Sequence, residues 1–101
     1  MSLTVVLQDE RGVAVEGVDD AVLPGAAMPA LGDQSYVWAA TIDPYGDTTF
    51  NRYQAQLLGR EWPRIISMVT DAATVAALEK VGRLLKRCEE GTHLYVKFIG
   101  D

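Results

Sequence analysis

The chain has little of the chemistry that cysteine and histidine provide, with one of each among its 101 residues. Because a disulfide or a cysteine-based metal cluster needs at least two cysteines, neither is expected within one chain. Any nucleophilic triad would have to use His93 as its base. A reducing, cytoplasmic location is therefore expected, and binding is favoured over catalysis.

Long apolar runs and an excess of positive charge are also missing. No apolar run approaches the roughly 20 residues of a membrane-spanning helix, and the opening MSLTVVLQDE lacks the pattern of a secretory signal. A formal charge of −5 opposes phosphate backbones, so we expect neither membrane nor nucleic-acid binding. Glycine-rich phosphate loops are absent too, and no cofactor is predicted. A basic protein partner is favoured instead.

The charges are divided unevenly along the chain. Residues 1–50 hold one base and eight acids, a net charge of −7, whereas residues 51–101 hold eight bases and six acids, a net charge of +2. The two halves are expected either to attract each other within the fold or to present separate patches to a partner. The basic run over residues 79–87 also contains Glu79, which is typical of a solvated helix face.

The first third of the chain is predicted to contain a hairpin and a long loop. Leu3, Val5 and Leu7 alternate with less apolar residues, which indicates a strand. A turn over residues 9–12 suggests that residues 13–15 return as a second strand. Residues 16–34 contain three glycines and two prolines without a sustained period, so we expect a loop. Such a loop is either a contact surface or a disordered connector.

A second hairpin is predicted in the middle of the chain. Residues 35–42 are rich in strand formers and apolar on both faces, which favours a central strand. Asp43-Pro-Tyr-Gly-Asp47 follows, and Pro44 and Gly46 are typical of a chain reversal. Residues 48–53 are then expected to return as the partner strand.

Two helices are predicted in the second half. An apolar stripe over residues 58–69 has helical spacing, but Pro63 interrupts it. We favour a start near Trp62, with Pro63 in the first turn, over a kinked helix. A second helix over residues 72–90 is predicted from an Asp71 cap and from Gly91, which would end it in a left-handed conformation. Gly82 at the edge of its apolar face would permit a close helix contact.

A last strand over residues 93–99 completes the order of strands, two helices and strand. The simplest arrangement that buries these stripes is an α+β fold with a mostly antiparallel sheet of four to five strands and two helices packed on one face. With 49% hydrophobic and 23% charged residues, the chain is expected to form a single domain over residues 1–101.

Few residues are candidates for chemistry. Cys88 falls on an apolar helix face and is predicted to be a buried structural thiol. Asp43, Asp47, Asp101 and His93 would converge from strand ends in a small hydrolase or a metal site. The segment 43–47 lacks the ligand spacing of a calcium loop, however, and is also typical of ordinary turn chemistry.

An aromatic, charged turn is the strongest candidate for a binding surface. Tyr45 stands at a turn tip, where a ring is rarely buried, and tyrosine and arginine are enriched where binding energy concentrates. The alternative is an aromatic side chain packed on its own hairpin. We predict a partner-binding site formed by Asp43, Tyr45, Asp47, Arg52 and Tyr53.

Two segments carry a resemblance. Asp43-Pro-Tyr-Gly-Asp-Thr-Thr-Phe-Asn-Arg52 with Tyr53-Gln54, and the ending His93-Leu-Tyr-Val-Lys-Phe-Ile-Gly-Asp101, resemble segments of a group of small, uncharacterised bacterial proteins. The resemblance covers the second half of the chain and implies a fold more than a function. Small acidic proteins of this kind are also similar in general character to immunity proteins that neutralise toxins.

The predicted function is a small cytoplasmic protein-binding domain, immunity-like or self-associating as a homodimer. The alternative is a small hydrolase or metal-dependent enzyme that uses Asp43, Asp47 and His93.

Overall fold

The computed structural model describes residues 2–100, which form a four-stranded antiparallel sheet and two helices. The strands are β1 (Ser2–Asp9), β2 (Ala21–Pro24), β3 (Asp47–Phe50) and β4 (Leu94–Gly100), and the helices are α1 (Arg52–Ser67) and α2 (Ala72–Glu90). The strand order is β2-β1-β4-β3, so β2 and β3 are the two edges. Short 3₁₀ turns lie at Gly25–Ala27 and Ala39–Thr41.

The two helices pack on one face of the sheet, with α2 across β1, β2 and β4 and α1 across β3 and β4. Alternate residues of β1 and β4 point into this layer and are buried, whereas their neighbours are half-exposed on the other face. This period of two is what a sheet with one covered face requires. The α+β fold with both helices on one face is confirmed.

Phe98 of β4 lies at the centre of the core. Its ring meets Phe50 edge to face at 5.6 Å between centroids and lies 6.2 Å from Trp62 of α1. Trp62 is buried, and its Nε1–H donates to the Leu78 carbonyl of α2 at 2.7 Å. This bond satisfies the one polar group of the indole and ties the two helices together.

The predicted amino-terminal hairpin is confirmed at its turn, but its second arm is too short to be a strand. Residues 13–15 return beside β1, where the Val15 N–H donates to the Leu7 carbonyl at 3.0 Å and Ala14 forms an isolated bridge with Gln8. Strand β2 also pairs with β1 and lies inside the segment 16–34, for which the sequence predicts a loop. Ala21 and Leu23 supply the buried face of β2, but two buried residues are too short a pattern to stand out from loop composition.

The predicted central strand over residues 35–42 is also wrong. This segment consists of turns and the 3₁₀ turn Ala39–Thr41, with Ala39, Ala40 and Ile42 buried. Strand β3 consequently pairs with β4 and not with residues 35–42. The burial expected of a central strand holds only at the end of the segment, because Val37 is 69% exposed and lies in a compact connection instead of an extended strand.

Helix α1 starts at Arg52, ten positions before the predicted start at Trp62. A capping box accounts for this, since the Asn51 side chain accepts the Gln54 N–H and the Gln54 side chain accepts the Asn51 N–H, both at 2.9 Å. Pro63 lies inside the helix, where it supplies no hydrogen-bond donor to the Gly59 carbonyl.

Helix α2 has the predicted bounds, and the Asp71 side chain caps it by accepting the Thr74 N–H. Gly91 ends the helix in an extended conformation, with φ −95° and ψ −179°, and not in the predicted left-handed one. The predicted close contact at Gly82 is confirmed, because a Cβ there would lie 3.4 Å from the Trp62 ring.

Candidate functional site

The predicted binding residues lie along the β3 edge of the sheet. We use the name β3 edge surface for the turn 43–46, the strand β3 and residues 51–53. The predicted turn is confirmed: Asp43 Oδ1 accepts the Tyr45 N–H at 2.9 Å, and the Asp43 N–H donates to Thr48 Oγ1 at 2.9 Å. These bonds fix the turn from within and leave Tyr45 75% exposed.

The turn is also held against the end of β4. The Gly100 N–H donates to the Gly46 carbonyl at 2.7 Å. A Cβ on Gly100 would lie 2.4 Å from the Pro44 carbonyl oxygen, a distance that no real side chain tolerates. Only glycine at position 100 therefore lets the turn backbone approach this closely.

The backbone of β3 has a free side. Gly46 and Gly100 form a hydrogen-bonded pair, and Thr48 with Phe98 is the next such pair in the register. Because hydrogen-bonded positions alternate in an antiparallel ladder, the N–H and C=O groups of Asp47 and Thr49 point away from β4. These groups form the outer edge of the sheet, and both residues are exposed.

The side chains along this edge carry both charges and aromatic surface. Asp47 Oδ2 lies 3.3 Å from Lys97 Nζ on the neighbouring strand, across the sheet face that no helix covers. Tyr53, at the start of α1, is 69% exposed, and the Arg52 guanidinium lies 5.7 Å from its ring centroid. The structure thus brings all five predicted residues onto one edge of the molecule, with Tyr45 before β3 and Tyr53 after it.

The residues of the alternative, enzymatic hypothesis do not converge. His93 precedes β4 and its Nδ1 lies 3.2 Å from Glu10 Oε2, whereas Asp47 is paired with Ile99 near the other end of the strand. Six strand residues separate these positions by roughly 20 Å. Among residues 2–100, no group of three histidine, cysteine or acidic side chains is placed to hold a metal ion. Asp101 lies outside the described residues.

Cys88 is fully buried, as predicted, and its Sγ–H donates to the Leu94 carbonyl at 3.3 Å. Burial raises the pKa of the thiol from 9.0 to about 11, because the thiolate is poorly solvated there. The thiol is therefore protonated and unreactive at neutral pH.

Sequence reasoning missed the residue that organises the loop before the turn. The Glu61 carboxylate of α1 accepts the backbone N–H groups of Val37, Trp38 and Ala39 at 2.7, 3.1 and 2.8 Å. One turn later, Arg64 donates to the Ser35 carbonyl at 3.0 Å and its guanidinium lies 4.6 Å from the ring centroid of Tyr36. No spacing in the sequence signals these contacts.

Comparison of the chain with protein-family models, with curated proteins and with solved structures finds no match. Over residues 2–100, neither helix combines the length and the apolar character needed to cross a membrane.

Proposed function

We propose that this domain binds another protein through the β3 edge surface. The observation that carries the proposal is the edge strand itself, whose outward backbone groups at Asp47 and Thr49 lie between two tyrosines that are 75% and 69% exposed. Exposed strand edges are templates for an added strand, and exposed tyrosine and arginine are common anchors in interfaces. The net charge of −5 favours a basic partner, and the cytoplasm is the proposed place of action.

Strand addition is the binding mode that this geometry supports. A partner segment in extended conformation would exchange backbone hydrogen bonds with Asp47 and Thr49. Its side chains would then contact Tyr45 at one end of β3 and Arg52 and Tyr53 at the other. Backbone pairing supplies affinity in this mode, and the flanking side chains supply specificity.

Self-association is a second candidate, and the order of residues along the edge supports it. Antiparallel pairing of two copies about a twofold axis at Thr48 sets Asp47 opposite Thr49 of the second copy. The same axis brings Arg52 toward Asp43 and Tyr45 of the second copy. A cation thereby meets a carboxylate and an aromatic face at both ends of the interface.

Capture of partners by the immobilised domain tests the proposal. Tyr45→Ala and Arg52→Ala should each weaken capture while leaving the thermal transition nearly unchanged, because neither side chain is buried. Thr49→Pro should abolish strand addition, since it removes an outward N–H and leaves the ladder to β4 intact. Met68→Ala, at another residue that is 76% exposed, is the matched control.

Sedimentation of the purified chain distinguishes the two candidates. A dimer that Thr49→Pro dissociates supports self-association, whereas a monomer that captures a partner through the same residues supports a heteromeric complex. Capture and oligomeric state that are both insensitive to these three substitutions would show that the binding surface lies elsewhere.

A further inference from the structure

An open groove of about 540 Å³ lies between α1 and α2 and is lined by residues of these two helices alone. It shares no residue with the β3 edge surface. Its volume falls within the roughly 300–1,000 Å³ that is typical of small-molecule sites. The groove is therefore large enough to hold an organic molecule of moderate size.

Two glycines line this groove. A Cβ on Gly59 would meet nothing within 4 Å, and a Cβ on Gly82 would lie 3.4 Å from Cδ1 of the Trp62 ring. The absent side chain of Gly59 thus leaves open space on α1, whereas Gly82 lets the buried Trp62 ring pack directly against α2. Each glycine weakens its helix by about 1 kcal/mol relative to alanine.

The walls add apolar surface and one polar acceptor. Pro63 and Ile66 line the groove on α1, and Leu85 lines it on α2. Since Pro63 has no N–H, the Gly59 carbonyl lacks the donor that an α-helix normally supplies. The site is thus a mostly apolar slot with a free acceptor position beside it.

Charged side chains surround the groove, and along α2 the cations lie between the two acids. Arg83 and Lys86 lie between Glu79 and Glu89, which are separated by ten residues, or about 15 Å, along α2. Arg60 adds a third cation from α1. Within residues 2–100, neither Arg60 nor Arg83 has a carboxylate within 4.0 Å, and Lys86 pairs with Glu90 only at an exposed 3.7 Å. Two guanidinium groups are therefore available to a ligand.

We propose that this groove binds a small aromatic carboxylate. The carboxylate accepts hydrogen bonds from Arg60 and Arg83, whose forked donors match its two oxygens. The ring lies on the apolar floor beside Pro63 and Ile66, over the open surface at Gly59. A cationic ligand of the same shape is disfavoured, because three cations outnumber the carboxylates of Glu79 and Glu89 on the rim, and a bare inorganic anion gains nothing from the apolar floor.

Titration of the ¹⁵N-labelled full chain with 1-naphthoate tests the proposal directly. We expect the amide signals of Gly59 and Gly82 and the indole signal of Trp62 to shift together in a saturable manner. The neutral 1-naphthalenemethanol and the cationic 1-naphthylmethylammonium carry the same ring and should bind at least about tenfold more weakly. Equal binding of all three probes, or shifts that lie elsewhere, would overturn the proposal.

Variants then locate the site. Gly59→Leu places a side chain in empty space, so the chain should fold and lose naphthoate binding. Ala76→Leu, at an exposed position of α2 outside the groove, should bind as the unaltered chain does. Arg60→Gln and Arg83→Gln should each weaken binding about tenfold, whereas Arg87→Gln should not.

The glycine variant and the arginine variants test the site independently of each other. If Gly59→Leu does not fold, the arginine variants still decide, because both guanidinium groups are on the surface. Folded Gly59→Leu with unchanged affinity, or arginine variants that bind as tightly as Arg87→Gln, would each reject the groove as the binding site.

Discussion

The Glu61 carboxylate accepts the Ala39 backbone N–H at 2.8 Å and so joins the middle of α1 to a 3₁₀ turn 22 residues earlier in the chain. The same carboxylate also accepts the N–H groups of Val37 and Trp38. Three adjacent N–H groups that converge on one anion fix the backbone of the connection that leads into the turn 43–46. Hydrogen bonds to a charged acceptor are about twice as strong as neutral ones.

We expect Glu61→Ala to destabilise the protein by about 1–3 kcal/mol, because three backbone donors lose their acceptor. Glu61→Gln keeps one acceptor oxygen and should show a smaller loss. Urea unfolding measures the free-energy change, and hydrogen exchange at Val37, Trp38 and Ala39 shows where it acts. Glu90→Gln, at an exposed carboxylate, should stay within about 0.5 kcal/mol. Unchanged amide protection in Glu61→Ala would show that the Glu61 carboxylate does not hold the backbone of residues 37–39.

Glycine-to-alanine substitutions at positions 100 and 59 should have opposite effects. At Gly100 the added Cβ would meet the Pro44 carbonyl oxygen at 2.4 Å, and backbone atoms cannot move aside as a flexible side chain can. We therefore expect Gly100→Ala to cost about 1–3 kcal/mol. Gly59→Ala meets nothing within 4 Å and should stabilise α1 by up to about 1 kcal/mol.

Thermal unfolding should therefore show a lower midpoint for Gly100→Ala and a higher midpoint for Gly59→Ala than for the unaltered chain. Amide shifts in Gly100→Ala should centre on the turn 43–46 and so report on the β3 edge surface. A Gly100→Ala variant as stable as the unaltered chain would mean that the turn does not press against β4.

An element of this fold can be predicted from the sequence when the residues that determine it lie within the element itself. The bounds of α2 are predictable because the Asp71 cap and an apolar period of 3.6 act within the helix itself. The start of α1 was also encoded locally, in the capping box of Asn51 and Gln54, but Gly59 and Pro63 outweighed that signal in the prediction.

Residues 35–42 could not be assigned from local pattern, because apolar residues on both faces are compatible with a strand and with a buried connection. The Glu61 side chain, far along the chain, decides between the two. In the candidate site, the exposure of Tyr45 was predictable from its place at a turn tip, whereas Tyr53 lies at the start of α1 and not in the predicted strand 48–53. The groove was not predictable, because it lies between α1 and α2 and no pattern within either helix shows which residues line it together.

The Asp71 cap gives the stability a defined dependence on acid pH. Hydrogen bonds from the Thr74 hydroxyl at 2.6 Å and the Thr74 N–H at 2.9 Å hold the pKa of Asp71 below its ordinary value of 3.8. Since the pKa is lower in the folded than in the unfolded state, the stabilisation is complete above 3.8 and is lost as the pH falls through the folded pKa.

We expect Asp71→Asn to be less stable than the unaltered chain at neutral pH and the difference to disappear at strongly acidic pH. Urea unfolding across this range measures the difference. Thr74→Val removes the hydroxyl donor, so an NMR titration should show the pKa of Asp71 moving back toward 3.8. A stability difference that persists undiminished in acid would mean that the charge of Asp71 does not contribute.

The stability of the fold should also depend on alkaline pH through Cys88, and here it should fall as the pH rises. Its pKa rises from 9.0 to about 11 on folding, so the contribution is full below 9.0 and is lost as the pH rises through about 11. The native thiol should therefore react with iodoacetamide far more slowly than the urea-unfolded chain, in which the thiol is solvated. The free energy of unfolding of Cys88→Ala should lack the decrease that the thiol titration causes between pH 9.0 and about 11. A native thiol that is alkylated as fast as the unfolded one would show that position 88 opens readily to solvent and that the core around Leu94 is not closed.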